Sequence, residues 1–452
     1  MNFITRSTVN TDAQWNLYNK VAKRLLPFLL LLFVVSYLDR VNVGFAKLQM
    51  AADIGLSDAA YGFGAGIFFL GYCLFEIPSN LILHRVGAKI WIARIMIVWG
   101  IVTMLTLLVK GPTSFYVARV LLGIAEAGFY PGVILYLTYW FPSHLRSQVM
   151  AIFISGIVVA GVIGGPLSGA IMTGMAGVWG FAGWQWLFAL EGVPAIVLGI
   201  CCLWFLSNNP SSASWLNDQE KSAIAADLMA DQAATRGVAG HSHNIRSVFG
   251  NKNIWLLVIA NFSNLATAYS VSFWMPQIIR NFGISNLNVI GLLTSAPFLL
   301  GGVAMLFAGW HSDKKKERRL HCCAGLLIAC IGLSMSGFFI TSAPVALCGL
   351  VLACVGALVA TPTLWALPGT FLSGPAAAAG IALMTTVGNL SGYVAPFVIG
   401  QVKQATGSMG YGFVTMGVIA LVGAIAAFCA PAARMPRVEI ARAADAATQR
   451  SY

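Results

Sequence analysis

Along the chain, apolar runs of about 20 residues alternate with short stretches rich in charge, Gly or Pro, the length needed to cross the ~30 Å hydrocarbon layer of a bilayer. Twelve such runs can be read, at about 25 to 45, 60 to 83, 89 to 109, 115 to 137, 147 to 172, 184 to 206, 254 to 280, 288 to 310, 321 to 342, 344 to 366, 376 to 402 and 411 to 432. A polar stretch from about Ser207 to Lys252 separates the sixth from the seventh. The expected fold class is therefore an all-α integral membrane protein, twelve transmembrane helices in two six-helix bundles. Its divisions are a tail (1–24), a first bundle (25–206), a linker (207–253), a second bundle (254–432) and a second tail (433–452). The linker carries Asn209-Pro210, a helical patch around Trp215 to Asp231 and a loose Gly/Ser/His segment from Gly237 to Ser247. It is too short for a core of its own and reads as a tether.

Composition agrees: 58% of the 452 residues are hydrophobic and 9% are charged, with a mean hydropathy of +0.80. The net charge of +12 would suggest nucleic acid, but sorting the basic residues by membrane side gives another meaning. Of the 27 Lys and Arg, only Lys47, Lys110, Arg280 and Lys403 fall on the side opposite the termini, with Arg40, Arg94 and Arg119 inside spans. The positive-inside rule then places both termini in the cytoplasm, and no nucleic-acid partner is expected. The first 24 residues are polar and the run behind them is long enough to span, so a cleavable signal is not expected. The nine cysteines lie in or beside apolar spans without a CxxC pair, and the six histidines fall in loops or at span ends. Neither a disulfide frame nor a metal site is expected, and mid-membrane proton work is left to carboxylates.

The charged residues inside the spans carry the functional reading. Asp39 and Arg40 stand side by side in Tyr37-Leu38-Asp39-Arg40-Val41-Asn42. An ionised side chain at that depth costs about 2.5–3.5 kcal/mol and persists where it faces a partner or a wet path. Arg119 and Glu126 are seven residues apart on one helix, hence on one face and roughly 10 Å apart. Two arginines and two ionised acids sum to zero, the cheapest state to enclose; protonating one acid leaves +1, matched by a monoanion, and protonating both matches a dianion. This is a route to proton and anion co-transport, with Asp39 and Glu126 as the proton sites and Arg40 and Arg119 beside the substrate. The other reading is that the acids only neutralise the arginines and hold helices in register. Glu76, before Pro78, and Glu191, before Gly192 and Pro194, read as satisfying backbone groups or fixing bends. The second half has no acid in its spans and offers Tyr269, Ser272, Trp274, Gln277, Thr385, Thr386, Asn389, Ser391 and Tyr393 instead. Such groups suit the hydroxyls or ring of a substrate, or bridges between helices.

Two basic loops follow the second span of each half, one around His84-Arg85-Val86-Gly87 and one around Asp313 to Lys316. They are the candidates for gating; the glycines of the fifth span read first as close helix packing, to which Gly164-Gly165-Pro166 adds a place where the span could bend.

Together the runs Tyr37 to Ala46, Gly71 to Asn80, Gly123 to Gly132, Gly183 to Phe188, Ser272 to Trp274 and Ala377 to Ala382 resemble the anion:cation symporter family of the major facilitator superfamily. Within it the chain is similar to the tartrate, phthalate and 4-hydroxyphenylacetate permeases. The resemblance implies a proton-coupled uptake carrier for a small organic anion, working by alternating access in the inner membrane. Protons are the expected coupling ion, with no cofactor; no metal-ligand cluster, nucleophile and base pair or phosphate loop is visible to suggest an enzyme, and a monomer is expected; an exchanger or facilitator of the same fold is the alternative. The resemblance also implies Asp39 and Glu126 as protonation sites, Arg40 as the substrate and coupling arginine, Arg119 as partner of the acids, and Tyr37, Tyr72 and Asn389 as lining. Two departures stand out. His84 replaces the usual loop aspartate, which leaves Asp313 to carry more of the closure, and Pro375 stands where many relatives have arginine.

Overall fold

The computed structural model describes residues 3–9, 11–238, 249–368 and 374–431. Twelve helices in it are long and apolar enough to cross a membrane. In chain order they are α1 (Asp12–Asp53), α2 (Asp58–Val86), α3 (Ala88–Leu108), α4 (Pro112–Thr138), α5 (Ser143–Gly174) and α6 (Gly183–Phe205). A helix outside the apolar set, α7 (Asp218–Val238), follows. The second half comprises α8 (Lys252–Asn281), α9 (Leu287–Lys315), α10 (Arg319–Phe338), α11 (Ala343–Ala366), α12 (Gly374–Thr406) and α13 (Gly410–Cys429). The tail after 431 and most of the Gly237 to Ser247 segment lie outside the described residues.

Two expectations need correction. Residues 12–24 are not a tail: α1 starts at Asp12, capped by the Thr11 side chain accepting from Gln14 N. Nor is the linker a loose tether, because α7 is docked on the first half. Lys20 pairs with Glu220 at 2.7 Å and Arg146 with Asp231 at 3.2 Å. Tyr18 Oη donates to Asp227 (3.0 Å), and Trp215 stacks on Trp140. The Lys20 ammonium, donating to both carboxylate oxygens, holds Glu220 below the usual carboxylate range. The end of the molecule carrying α7 is called the linker face below.

Helix interruptions fall near the charges. α4 stops at Glu126 and resumes at Phe129, with Gly128 at φ +85°. That backbone favours glycine, and a Cβ there would also lie 2.3 Å from Ser79 Oγ of α2. α5 is interrupted at Ser155, not at Gly164-Gly165-Pro166, which run continuously through the helix. Gly165 serves close packing instead: a Cβ on it would sit 2.3 Å from the Gly291 carbonyl oxygen of α9, and one on Gly291 would sit 2.4 Å from that of Gly165. Similar backbone approaches join α2 to α12, Gly62 against Pro396, and α1 to α8, Gly44 against Ser272. These contacts seal the two halves against each other on the face opposite the linker.

Candidate functional site

Between the halves, on the linker-face side of that seal, lies a cavity. Tyr37, Arg40, Tyr72 and Tyr130 line it from the first half, and Asn261, Asn264, Tyr269, Thr361, Thr385 and Asn389 from the second. Arg40 is the charged group on its wall. It donates to Glu126, which also accepts from Ser36 Oγ (2.9 Å). Its guanidinium lies 5.4 Å from the centre of the Tyr72 ring and 5.6 Å from that of Phe68. Arg40's side chain is 12% exposed and Glu126's 0%, so the acid stands behind the arginine. Among the described residues Arg40 Nε and Glu126 Oε2 have no hydrogen-bond partner. The pair is half-satisfied, a state expensive to keep in low dielectric unless something else completes it.

Asp39, next in sequence, faces the other way. It accepts from Trp99 Nε1 (2.5 Å) and Thr103 Oγ1 (2.7 Å) on α3 and from Asn42 Nδ2 (3.3 Å) on its own helix. Adjacent residues on a helix point about 100° apart, so one of the two reaches the cavity and the other the interior of the bundle. Arg119 is buried with them, over the Phe68 ring at 4.9 Å, donating to the Ala65 carbonyl at 3.4 Å and leaving Nε and Nη1 unpartnered. It is within electrostatic reach of Asp39 and Glu126 but does not line the cavity. The expected single cluster is thus split: Arg40 is at the wall with Glu126 paired behind it, and Asp39 and Arg119 lie in the bundle interior.

Trp274 is not at the cavity. Its ring lies under the Lys47 ammonium (3.8 Å) and edge-on to Tyr61. There Lys47 of α1 and Lys403 of α12 both bind Asp58 of α2, at 2.7 and 2.8 Å. Arg280 of α8 adds a bond to the Leu48 carbonyl (2.6 Å) and Tyr61 one to that of Phe273 (3.1 Å). This ionic seam joins the halves on the far side of the glycine contacts, and sequence reading missed it. The available signal was that Lys47, Arg280 and Lys403 break the charge asymmetry of the other basic residues.

The expected linker-face gate is split in this conformation. His84 approaches Tyr139 (3.4 Å) and Asp313 pairs with Arg318 (3.2 Å), each within its own half, and Arg85 is exposed. Gly87, at φ +99°, turns the chain from α2 into α3 beside Asn208, whose side chain accepts from Lys89 N. Glu76 and Glu191 do not serve backbone groups as expected. Glu76 faces Asn389 across the halves, and Glu191 accepts from Asn42 Nδ2 at 2.7 Å.

Asn261 and Asn264 were also missed, and the bonding around them fixes their orientation. Asn261 Nδ2 donates to the Met384 carbonyl (2.9 Å), an oxygen that can only accept. Asn264 Nδ2 donates to Thr361 Oγ1 (3.0 Å), whose own hydrogen goes to the Ala357 carbonyl. Both Oδ1 atoms are left as unpartnered acceptors.

Comparison with known proteins agrees with this architecture. Residues 29–396 match the model of the Major Facilitator Superfamily. A protein of Agrobacterium vitis named for tartrate transport is 45% identical over 92% of this chain and 95% of its own. The metabolite transport protein NicT of Pseudomonas putida is 45% identical (89% and 92%), and a quinolone resistance transporter of Acinetobacter baumannii 38% (92% and 94%). Among solved structures, the D-xylose-proton symporter superposes with a TM-score of 0.71 at 17% identity, covering 91% of this chain and 98% of that one, which bears on the fold alone. The chain is a multi-span membrane transporter belonging to the major facilitator superfamily.

Proposed function

We propose that the protein is a proton-coupled symporter that takes up a small hydroxylated carboxylate through the inner membrane as a monomer, by alternating access, with both termini cytoplasmic. The observation that carries this reading is Arg40 on the cavity wall with Glu126 paired to it from behind. With Glu126 ionised, Arg40 is neutralised by the protein. When Glu126 takes a proton, Arg40 becomes a free guanidinium facing the cavity, and a substrate carboxylate restores neutrality. Proton and anion are thereby favoured together and disfavoured separately, which is the thermodynamic content of coupling. Asp39, with Arg119, supplies a second acid behind the first. Coupling needs no cofactor beyond the protons.

The acceptors on Asn261 and Asn264 support a substrate that donates hydrogen bonds, hence hydroxyl groups. Leaving such acceptors unmet in a dry pocket costs about 1–3 kcal/mol each. The tartrate name of close relatives points the same way. Sealing of the face opposite the linker corresponds, with cytoplasmic termini, to an inward-facing state. The test is uptake of tartrate, sugar acids, unhydroxylated diacids and aromatic acids by reconstituted vesicles under an imposed pH gradient. Collapse of uphill uptake on adding a protonophore supports symport; persistence driven by an internal counter-anion would assign exchange instead.

A further inference from the structure

The first half encloses two acids that this cycle does not use, Glu76 and Glu191. Glu191 of α6 is 6% exposed. It sits eight residues from the α6 start at Gly183, roughly 12 Å in from the face opposite the linker. Its surroundings are Asn42 and Asp39 from α1 and the Ser168 hydroxyl from α5. Where α3 packs on α6 it presents the neutral Gly100 and Met104 to Gly192. No salt bridge to Glu191 forms among the described residues, and the charged group that acts on it is the acid Asp39, which is in turn within electrostatic reach of Arg119 of α4.

The two carboxyls share one amide. Asn42 Nδ2 donates to Glu191 Oε2 at 2.7 Å and to Asp39 Oδ1 at 3.3 Å, while Glu191 Oε1 is left without a hydrogen-bond partner. Asp39 gathers three donors and a nearby guanidinium, as an ionised carboxylate requires. Glu191 has no cation, and a buried carboxylate without one is enclosed at far lower cost carrying a proton. Two acids joined by a single amide, one built for charge and one for neutrality, titrate as a unit.

We infer that Glu191 and Asp39 form a one-proton dyad in which Glu191 is a proton-carrying residue of the transport cycle, reached from the outer half of the first bundle and separate from the substrate cavity. The proton leaves the Glu191 carboxyl as Asp39 gains one, so the charge of the pair is unchanged by the exchange; the proton later released from Asp39 is replaced on Glu191. The inference rests on the symport reading above and adds a proton site to it.

The experiment uses the full chain in vesicles, with tartrate as the transported probe and infrared difference spectroscopy of the carbonyl band of a buried carboxylic acid, compared across wild type with and without a protonophore, Glu191→Gln and Glu191→Asp. In Glu191→Gln the Glu191-dependent band is expected to vanish and pH-driven accumulation to fall at least tenfold, with counterflow exchange within about threefold of wild type. Glu191→Asp is expected to recover a large part of the accumulation with a displaced pH profile. An unchanged pH profile and accumulation in Glu191→Gln, or a wild-type spectrum with no band that the substitution removes, would overturn the dyad. If a protonophore leaves wild-type uphill uptake intact, the symport reading itself fails; if it collapses that uptake while Glu191→Gln accumulates tartrate as wild type does, only the dyad does. Should Glu191→Gln not fold, Asn42→Leu removes the shared amide, and an unshifted pH profile there would equally overturn the proposal.

Discussion

The two halves share a layout but not a chemistry. The first buries Asp39, Lys47, Glu76, Arg119, Glu126 and Glu191; among the described residues the buried polar groups of the second are all neutral, Asn261, Asn264, Ser272 and Thr363 among them. Charge can be switched by a proton, whereas an amide anchored by its own N–H group cannot. The first half is thereby suited to coupling and the second to recognition by shape and hydrogen bonding.

The strongest attempt to break this division is Arg40→Ala. It removes the carboxylate partner and leaves Glu126 buried without its cation, a loss of about 3–5 kcal/mol. Uptake is expected to fall more than a hundredfold and the thermal midpoint to drop. The double variant Arg40→Ala/Glu126→Gln restores the midpoint but not uptake; recovery of both would show the pair to be merely structural. Next in size is Glu126→Gln, expected to abolish pH-driven accumulation while counterflow exchange persists. Undiminished uphill uptake would remove Glu126 from coupling.

On the neutral side, Asn264→Leu is expected to lower affinity for a hydroxylated diacid by about ten- to a hundredfold, about 1–3 kcal/mol. Affinity for its unhydroxylated counterpart changes little, so competition assays register lost discrimination, and coupling stays intact. Equal loss for both ligands would mean that Asn264 holds the helices and not the substrate.

The smallest effect lies at the docked linker helix. Lys20 holds Glu220 below its ordinary range, so the contribution of this pair to docking is present above the unfolded carboxylate value and is lost as pH falls through the lowered folded one. Being partly exposed, it is worth at most about 1 kcal/mol. Lys20→Ala should speed proteolysis within α7 at neutral pH by a few-fold and leave transport unchanged.

Much of this was legible in the order of residues. Span length and hydropathy prescribe twelve crossings, and the run holding Asp39-Arg40 supplies the arginine of the cavity wall. What was not legible is direction. Neighbours one residue apart diverge around the helix, so Asp39 and Arg40 belong to different layers, and nothing local tells which faces the cavity. Asp58 meets Lys403 across 345 positions of chain, a pairing without local signature. Trp274 resembled a binding aromatic by type, yet two ammonium groups beside it set its role. Asn261 and Asn264, spaced by three on an apolar helix, were a visible polar stripe whose meaning emerged only once their donors were accounted for.

The seal between α5 and α9, where the backbones at Gly165 and Gly291 touch, has a kinetic corollary. At that contact main chain meets main chain beside the small Thr294 hydroxyl, and the first bulky side chain to be lifted as the helices part is Phe298, whose ring seats against Gly161. The Lys47–Asp58–Lys403 trio adds a different kind of resistance to the return stroke, because its charged members must regain hydration as they separate. Turnover is expected to respond to Asp58→Asn and to ionic strength, in the manner of a hinge fastened by one small clasp.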